Sequence, residues 1–176
     1  MPSFALVPHP STPCPWVRRF TVDVQRLPAG ALHLTYHVEG DIAQLQLPHQ
    51  KTPARTDGLW RDTCFEAFLR TPGSSAYDEF NFSPSGEWAA YRFDHYRSGM
   101  TELELGGPPA IVCHRHARQL SVEAEIGTSD VASRDLLLAL SAVLKDQQGA
   151  VSYWALLHPA AKPDFHDAAG FAATLA

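Results

Sequence analysis

The residues best suited to chemistry lie in two neighbouring stretches, residues 59–69 (LWRDTCFEAFL) and 77–83 (YDEFNFS). Glu66 in the first, and Glu79 and Asn81 in the second, are polar groups set among large apolar side chains. A carboxylate accepts hydrogen bonds and a carboxamide both donates and accepts, so these groups can orient a hydroxyl-bearing ligand, with Arg92 as a further donor. Trp60, at the edge of the patch, offers a flat apolar plate of the kind on which the C–H face of a sugar ring stacks; Trp88 and Trp154 are similarly amphipathic. A Glu66–Glu79 pair would also be the minimum for carboxylate-based hydrolysis, provided one of the two acids has a raised pKa and their separation is defined. The competing reading is that the tryptophans fill the core and the polar residues line solvated faces.

Strand patterning must position these groups. Phe65, Ala67 and Leu69 alternate with Glu66 and Phe68, and Tyr77, Glu79, Asn81 and Ser83 alternate with Asp78, Phe80 and Phe82. The linker TPGSS suits a hairpin, whose register would set Glu66 beside Glu79 or Asn81. Upstream, five prolines between residues 2 and 15 predict an extended lead-in over 1–16. Strands are expected over 17–25 and 32–38, with a third apolar row at Ala43, Leu45 and Leu47, then a loop over 48–58 that delivers Trp60. Downstream, 87–96 alternates, with Ala89, Tyr91 and Phe93 on one face. Residues 111–116 and 120–126 form a hairpin, and Ser152, Trp154 and Leu156 share a face that His158 continues. The run LLLALSAVL at 136–144 fits a buried strand or, capped by Ser133 or Asp135, a helix; its strand neighbours favour strand. About ten short strands separated by turn signals predict an all-β chain, an antiparallel β-sandwich of immunoglobulin-like or jelly-roll-like kind, forming one domain over 1–176.

Composition narrows the function classes. Fourteen Lys and Arg against nineteen Asp and Glu give a net charge of −5, which speaks against nucleic acid as a partner. No apolar run reaches the roughly 18 residues of a membrane span, and the first residues lack a basic segment followed by a long apolar one, so a cytoplasmic location is expected. Cys14, Cys64 and Cys113 have no CxxC spacing. His114 and His116 share one face of a strand, a possible metal clamp, but a third ligand at related spacing is missing, so no metal is expected. The glycine pair at 106–107 and the Pro-Ser-Gly at 84–86 are turn chemistry, without a phosphate-binding or nucleophile-elbow pattern.

LWRDTCFEAFLRTP followed by YDEFNFSPSGEWAAYRFD resembles the DOMON-like superfamily, and within it the family 9 carbohydrate-binding modules. Trp60, Asp62, Glu66, Phe68 and Leu69, then Tyr77, Glu79, Phe80, Phe82, Pro84 and Gly86, stand at matching positions; YWALLHPAAKPDFHDAAGF is similar to the close of a bacterial DOMON-like subgroup. The resemblance covers residues 59–171 loosely and implies a sandwich that binds a small ligand without catalysis. In carbohydrate-binding members two tryptophans enclose a sugar ring, and a glutamate six residues after the first bonds its hydroxyls, the spacing of Trp60 and Glu66. Trp154 would be the second plate, with Arg92 and His158 as polar partners. Other relatives hold haem through a methionine and a histidine, which would make Met100 with His158 or His166 the ligands. The leading expectation is a carbohydrate or sugar-like metabolite bound by Trp60, Glu66, Asn81, Arg92, Trp154 and His158, with no cofactor; haem-linked electron transfer and hydrolysis are the alternatives. Asp164 and His166 are expected to fix the tail against the sheet.

Overall fold

The computed structural model describes residues 1–127 and 135–175, and these contain thirteen strands and no α-helix. In chain order the strands are β1 (Ser3–Ala5), β2 (Val7–Pro8), β3 (Val17–Arg26), β4 (Leu32–Gly40), β5 (Cys64–Arg70), β6 (Tyr77–Phe82), β7 (Trp88–Phe93), β8 (Thr101–Glu102), β9 (Ala110–Arg115), β10 (Gln119–Ile126), β11 (Leu136–Lys145), β12 (Val151–Ala155) and β13 (Ala173–Leu175). They form two antiparallel sheets, one ordered β1-β3-β4-β10-β9 and the other β2-β12-β11-β5-β6-β7-β8, with β13 beside the first half of β11. The chain is thus the sandwich that its alternating pattern predicts.

Period-two alternation sorts side chains between the two faces of each sheet. Phe20, Tyr36, Phe65, Phe82, Leu138 and Trp154 meet between the sheets in the main core. The Tyr36 hydroxyl donates to the Glu66 backbone carbonyl at 2.8 Å, a polar tie that fixes the middle of β5 from below. The opposite face of the larger sheet also carries large apolar groups. Phe68, Tyr77, Tyr91 and Phe93 there form a second cluster with Phe171, which arrives from the C-terminal tail. This explains why six of the seven residues of β5 are buried: the strand has the core on one face and the tail on the other.

Local readings differ from the structure in three places. Ala43, Leu45 and Leu47 do not form a strand; Ile42–Gln44 is a 3-10 turn. Ile42 and Leu45 are both fully buried, and their three-residue spacing suits one helical turn better than alternation does. The proline-rich lead-in is extended but also paired: β1 adds to β3 and β2 to β12, with Pro8 in an edge strand, where a missing N–H is tolerated. Residues 136–144 are strand, so helix capping by Asp135 does not arise; Ser133 lies outside the described residues. Among the described residues no helix is long and apolar enough to cross a membrane.

Candidate functional site

The register of β5 with its neighbours arranges the polar patch. Glu66 lies directly opposite Asn81 on β6 and Ser141 on β11, while Glu79 pairs with Phe68 and, on its other side, Tyr91. Glu66 and Glu79 are therefore diagonal neighbours on the outer face of the larger sheet. The tail crosses this face at one end. The His166 ring packs on Phe68 and Phe93 with centroids 5.2 and 5.1 Å away, and Phe171 packs on Tyr77 at 5.8 Å. Asp164 accepts from the Tyr96 hydroxyl at 2.5 Å and from the Arg97 guanidinium at 2.9 Å, tying the tail to the segment after β7.

Between tail, sheet and the 3-10 turn at Leu59–Arg61 lies a cavity of about 740 Å³. Glu66 and Glu79 reach its floor, Trp60, Tyr91, Tyr153 and Phe165 give it aromatic walls, and Asp57, Arg97, Met100 and His166 also line it. Trp60 is 45% exposed, an indole held at the mouth rather than packed away.

The floor is electrostatically unusual. Glu66 is 3% exposed and Glu79 6%. Burial pushes the Glu66 carboxyl well above the ordinary glutamate range, with the nearby Glu79 charge adding to the effect and the Ser141 hydroxyl, 3.4 Å from Oε2, opposing it. Burial also raises Glu79, against a hydrogen bond that the Asn81 amide donates to its Oε1 at 2.7 Å. His166 lies with Nε2 3.7 Å from Glu79 Oε2, yet burial lowers its pKa to about 4, so this contact is not an ion pair near neutral pH. A relay fixes the ring: the Arg97 backbone N–H donates to the Tyr77 oxygen at 3.2 Å, and the Tyr77 hydroxyl and His166 Nδ1 share a bond of 2.8 Å. The Tyr91 hydroxyl donates to Asp57, which anchors the loop before Trp60.

Of the six residues expected from sequence, Trp60 and Glu66 come together at the cavity. Asn81 lies beside it, fully buried; its amide holds Glu79 and its carbonyl oxygen takes the Cys64 thiol at 3.8 Å. Trp154 is on the other face of the sheet, 4% exposed, packed against Phe20 at 5.4 Å, with its indole N–H donating to Ser152. Arg92 also has the opposite parity to Tyr91, and its guanidinium forks onto Asp78 at 2.7 and 2.8 Å. His158 sits near the β2 edge, where its Nε2 donates to the Val7 carbonyl at 2.9 Å and its ring abuts His9. Asp164 and His166 hold the tail as expected. The sequence reading missed Tyr91, Tyr153 and Phe165 as walls; the parity of Tyr91 with Glu79 was the available signal for the first. Among the described residues no group of three or more His, Cys, Asp or Glu is placed to hold a metal ion.

No family model and no curated protein matches this chain. Among solved structures, a candidate carbohydrate-binding protein from Bacteroides uniformis is similar over 94% of this chain and 83% of its own, with a TM-score of 0.63 at 12% identity. A family 9 carbohydrate-binding module from Caldicellulosiruptor kristjanssonii, in complex with glucose, is similar over 78% of this chain and 66% of its own, with a TM-score of 0.49 and 14% identity. At 12% identity, what the first of these establishes is a shared sandwich fold.

Proposed function

We propose that this protein is a non-enzymatic binding domain whose ligand is a carbohydrate or sugar-like metabolite, held in the cavity on the outer face of the larger sheet. The observation that carries the reading is the pairing of a half-exposed indole, Trp60, with hydrogen-bonding carboxyl groups at the bottom of the same concavity. A sugar ring would lay its C–H face on Trp60 and direct hydroxyls to Glu66 and Glu79. Tyr91, Tyr153 and Phe165 bound it laterally, while Asn81 and Ser141 set the carboxyl groups. The description of the Bacteroides uniformis protein as carbohydrate-binding supports the same ligand class. The test is a titration of mono- and disaccharides followed by tryptophan fluorescence. Saturable quenching that Trp60→Ala abolishes is expected; a flat response across the panel would overturn the reading.

Two other chemistries draw on the same cavity. Hydrolysis would use Glu66 and Glu79, both raised by burial and Glu66 the further; an assay of the purified protein on aryl glycosides is expected to show no turnover. Haem would use Met100 and His166, both at the cavity. His166 Nδ1 is engaged by Tyr77, its Nε2 faces Glu79, and the acidic floor opposes propionates, so these residues do not fit the group. An absorption scan of the purified protein is expected to show no Soret band.

A further inference from the structure

We infer that the cavity receives a positively charged ammonium group, so that its ligand within the class proposed above is an amino sugar. The amino-sugar half rests on that proposal; the ammonium half stands on the charge of the cavity alone.

Among the described residues, four carboxyl groups line the cavity, from Asp57, Glu66, Glu79 and Glu102, against one permanent cation, Arg97. That cation is already matched, since its guanidinium lies 2.9 Å from Asp164, which is outside the lining. Glu102 has Arg55 at 3.3 Å, and Asp57 takes the Tyr91 hydroxyl. Glu66 and Glu79 have no cationic side chain bonded to them among the described residues. The Glu66 carboxyl is buried, and the hydrogen bond it accepts is a single long one on Oε2, leaving Oε1 to the cavity. Adjacent carboxylates are costly to bury, and burial shifts both toward their protonated forms, with the Arg97 charge opposing the shift at Glu79.

A ligand ammonium relieves that condition. It brings three donors and a full positive charge, and it favours the ionised carboxylates against the upward shift that burial causes, so that seating the ammonium drives proton release to solvent. Hydroxyls of a neutral sugar supply hydrogen bonds but no charge. The walls suit the same choice, because Trp60 and Tyr153 are aromatic rings of the kind that attract cations, while the Tyr91 ring already has the Arg55 guanidinium 5.3 Å from its centroid. Other titratable groups facing the pair do not compete. Cys64 and Tyr36, against Glu66, have their pKa values raised well above the ordinary by burial, Tyr77 is likewise raised, and His166 is held neutral. The Glu66–Glu79 pair is therefore the element whose protonation changes when the cation arrives.

Calorimetric titration of the full chain near neutral pH with glucose, glucosamine, N-acetylglucosamine and cyclohexylamine separates the possibilities. Glucosamine is expected to bind about tenfold or more tightly than glucose. N-acetylation, which removes the charge and keeps the ring, should cancel that gain. Repeating the titration in buffers of different ionisation heat should reveal proton release. Glu66→Gln and Glu79→Gln, near-isosteric and checked for folding by thermal melting, should erase both the preference and the release; if neither folds, the wild-type series decides. Glucose or N-acetylglucosamine binding as tightly as glucosamine overturns the ammonium inference and leaves the sugar proposal standing. Cyclohexylamine binding without any sugar does the reverse, and no binding of any probe at millimolar concentration overturns both.

Discussion

Replacing the two tryptophans in turn separates the core from the site. Trp154 is 4% exposed, packs on Phe20 between the sheets and spends its N–H on Ser152. Truncation to alanine removes a bicyclic side chain from a close-packed interior and takes one donor from the buried Ser152 hydroxyl, which keeps its own bond to the Leu144 carbonyl. Large-to-small changes of this kind cost about 3–5 kcal/mol, transfer and cavity terms together. For a domain of this size each kcal/mol moves the melting temperature by about 2–4 °C, so Trp154→Ala should lower it by roughly 6–20 °C. Trp60, 45% exposed on a 3-10 turn, has much less packing to lose, and Trp60→Ala should cost about 1 kcal/mol or less. Urea unfolding followed by circular dichroism gives both values. A Trp154→Ala loss below about 1 kcal/mol, or a Trp60→Ala loss above about 2 kcal/mol, would refute the assignment of these residues to core and cavity mouth.

Glu66→Gln should stabilise the ligand-free protein above the ordinary glutamate value of 4.5. Because folding raises the pKa of Glu66 and Glu79, their contribution is fully present below that value and is lost as pH rises through the folded values; thermal melts of the variant should show a flatter decline over that interval. Arg92→Ala should change stability by about 1 kcal/mol or less, since its ion pair with Asp78 is solvent-exposed, and should leave sugar affinity unchanged by calorimetry. Gly40→Ala should destabilise measurably in urea, because a β-carbon there would lie 2.1 Å from the Trp16 carbonyl oxygen and the backbone must move. Cys113, half-buried, should react with a thiol reagent in the native protein well before Cys14 and Cys64, which are buried; labelling of Cys64 as fast as Cys113 would show the face beside Glu66 to be open.

What could be read from sequence follows the reach of alternation. Glu66, Glu79 and Tyr91 lie on strands with a clear period of two, joined by short turns, and their common face was legible before any coordinates. Trp154 and Tyr153 were harder. Their strand pairs with β11, whose near-continuous apolar run is buried on both faces and offers no parity to copy, while the family resemblance implied Trp154 as the second plate, on the face that Tyr153 occupies. The roof was legible only in Asp164 and His166, expected to fix the tail to the sheet, and not in the aromatic surface that it covers. Phe165, His166 and Phe171 reach Phe68 and Tyr77 across about a hundred residues of chain, and a tail of loops carries no period that announces which surface it covers. Arg92 illustrates a further limit: a charged residue in a strand was read as a donor for ligand when its neighbour across the ladder, Asp78, already satisfies it.

The most direct test of the central claim is a crystal structure of the protein soaked with the sugar that binds it. The account predicts a ring over Trp60 with a polar substituent within hydrogen-bonding distance of Glu66 or Glu79. Density for the sugar at any other surface, with the cavity between Trp60 and the acid pair holding only solvent, would contradict it.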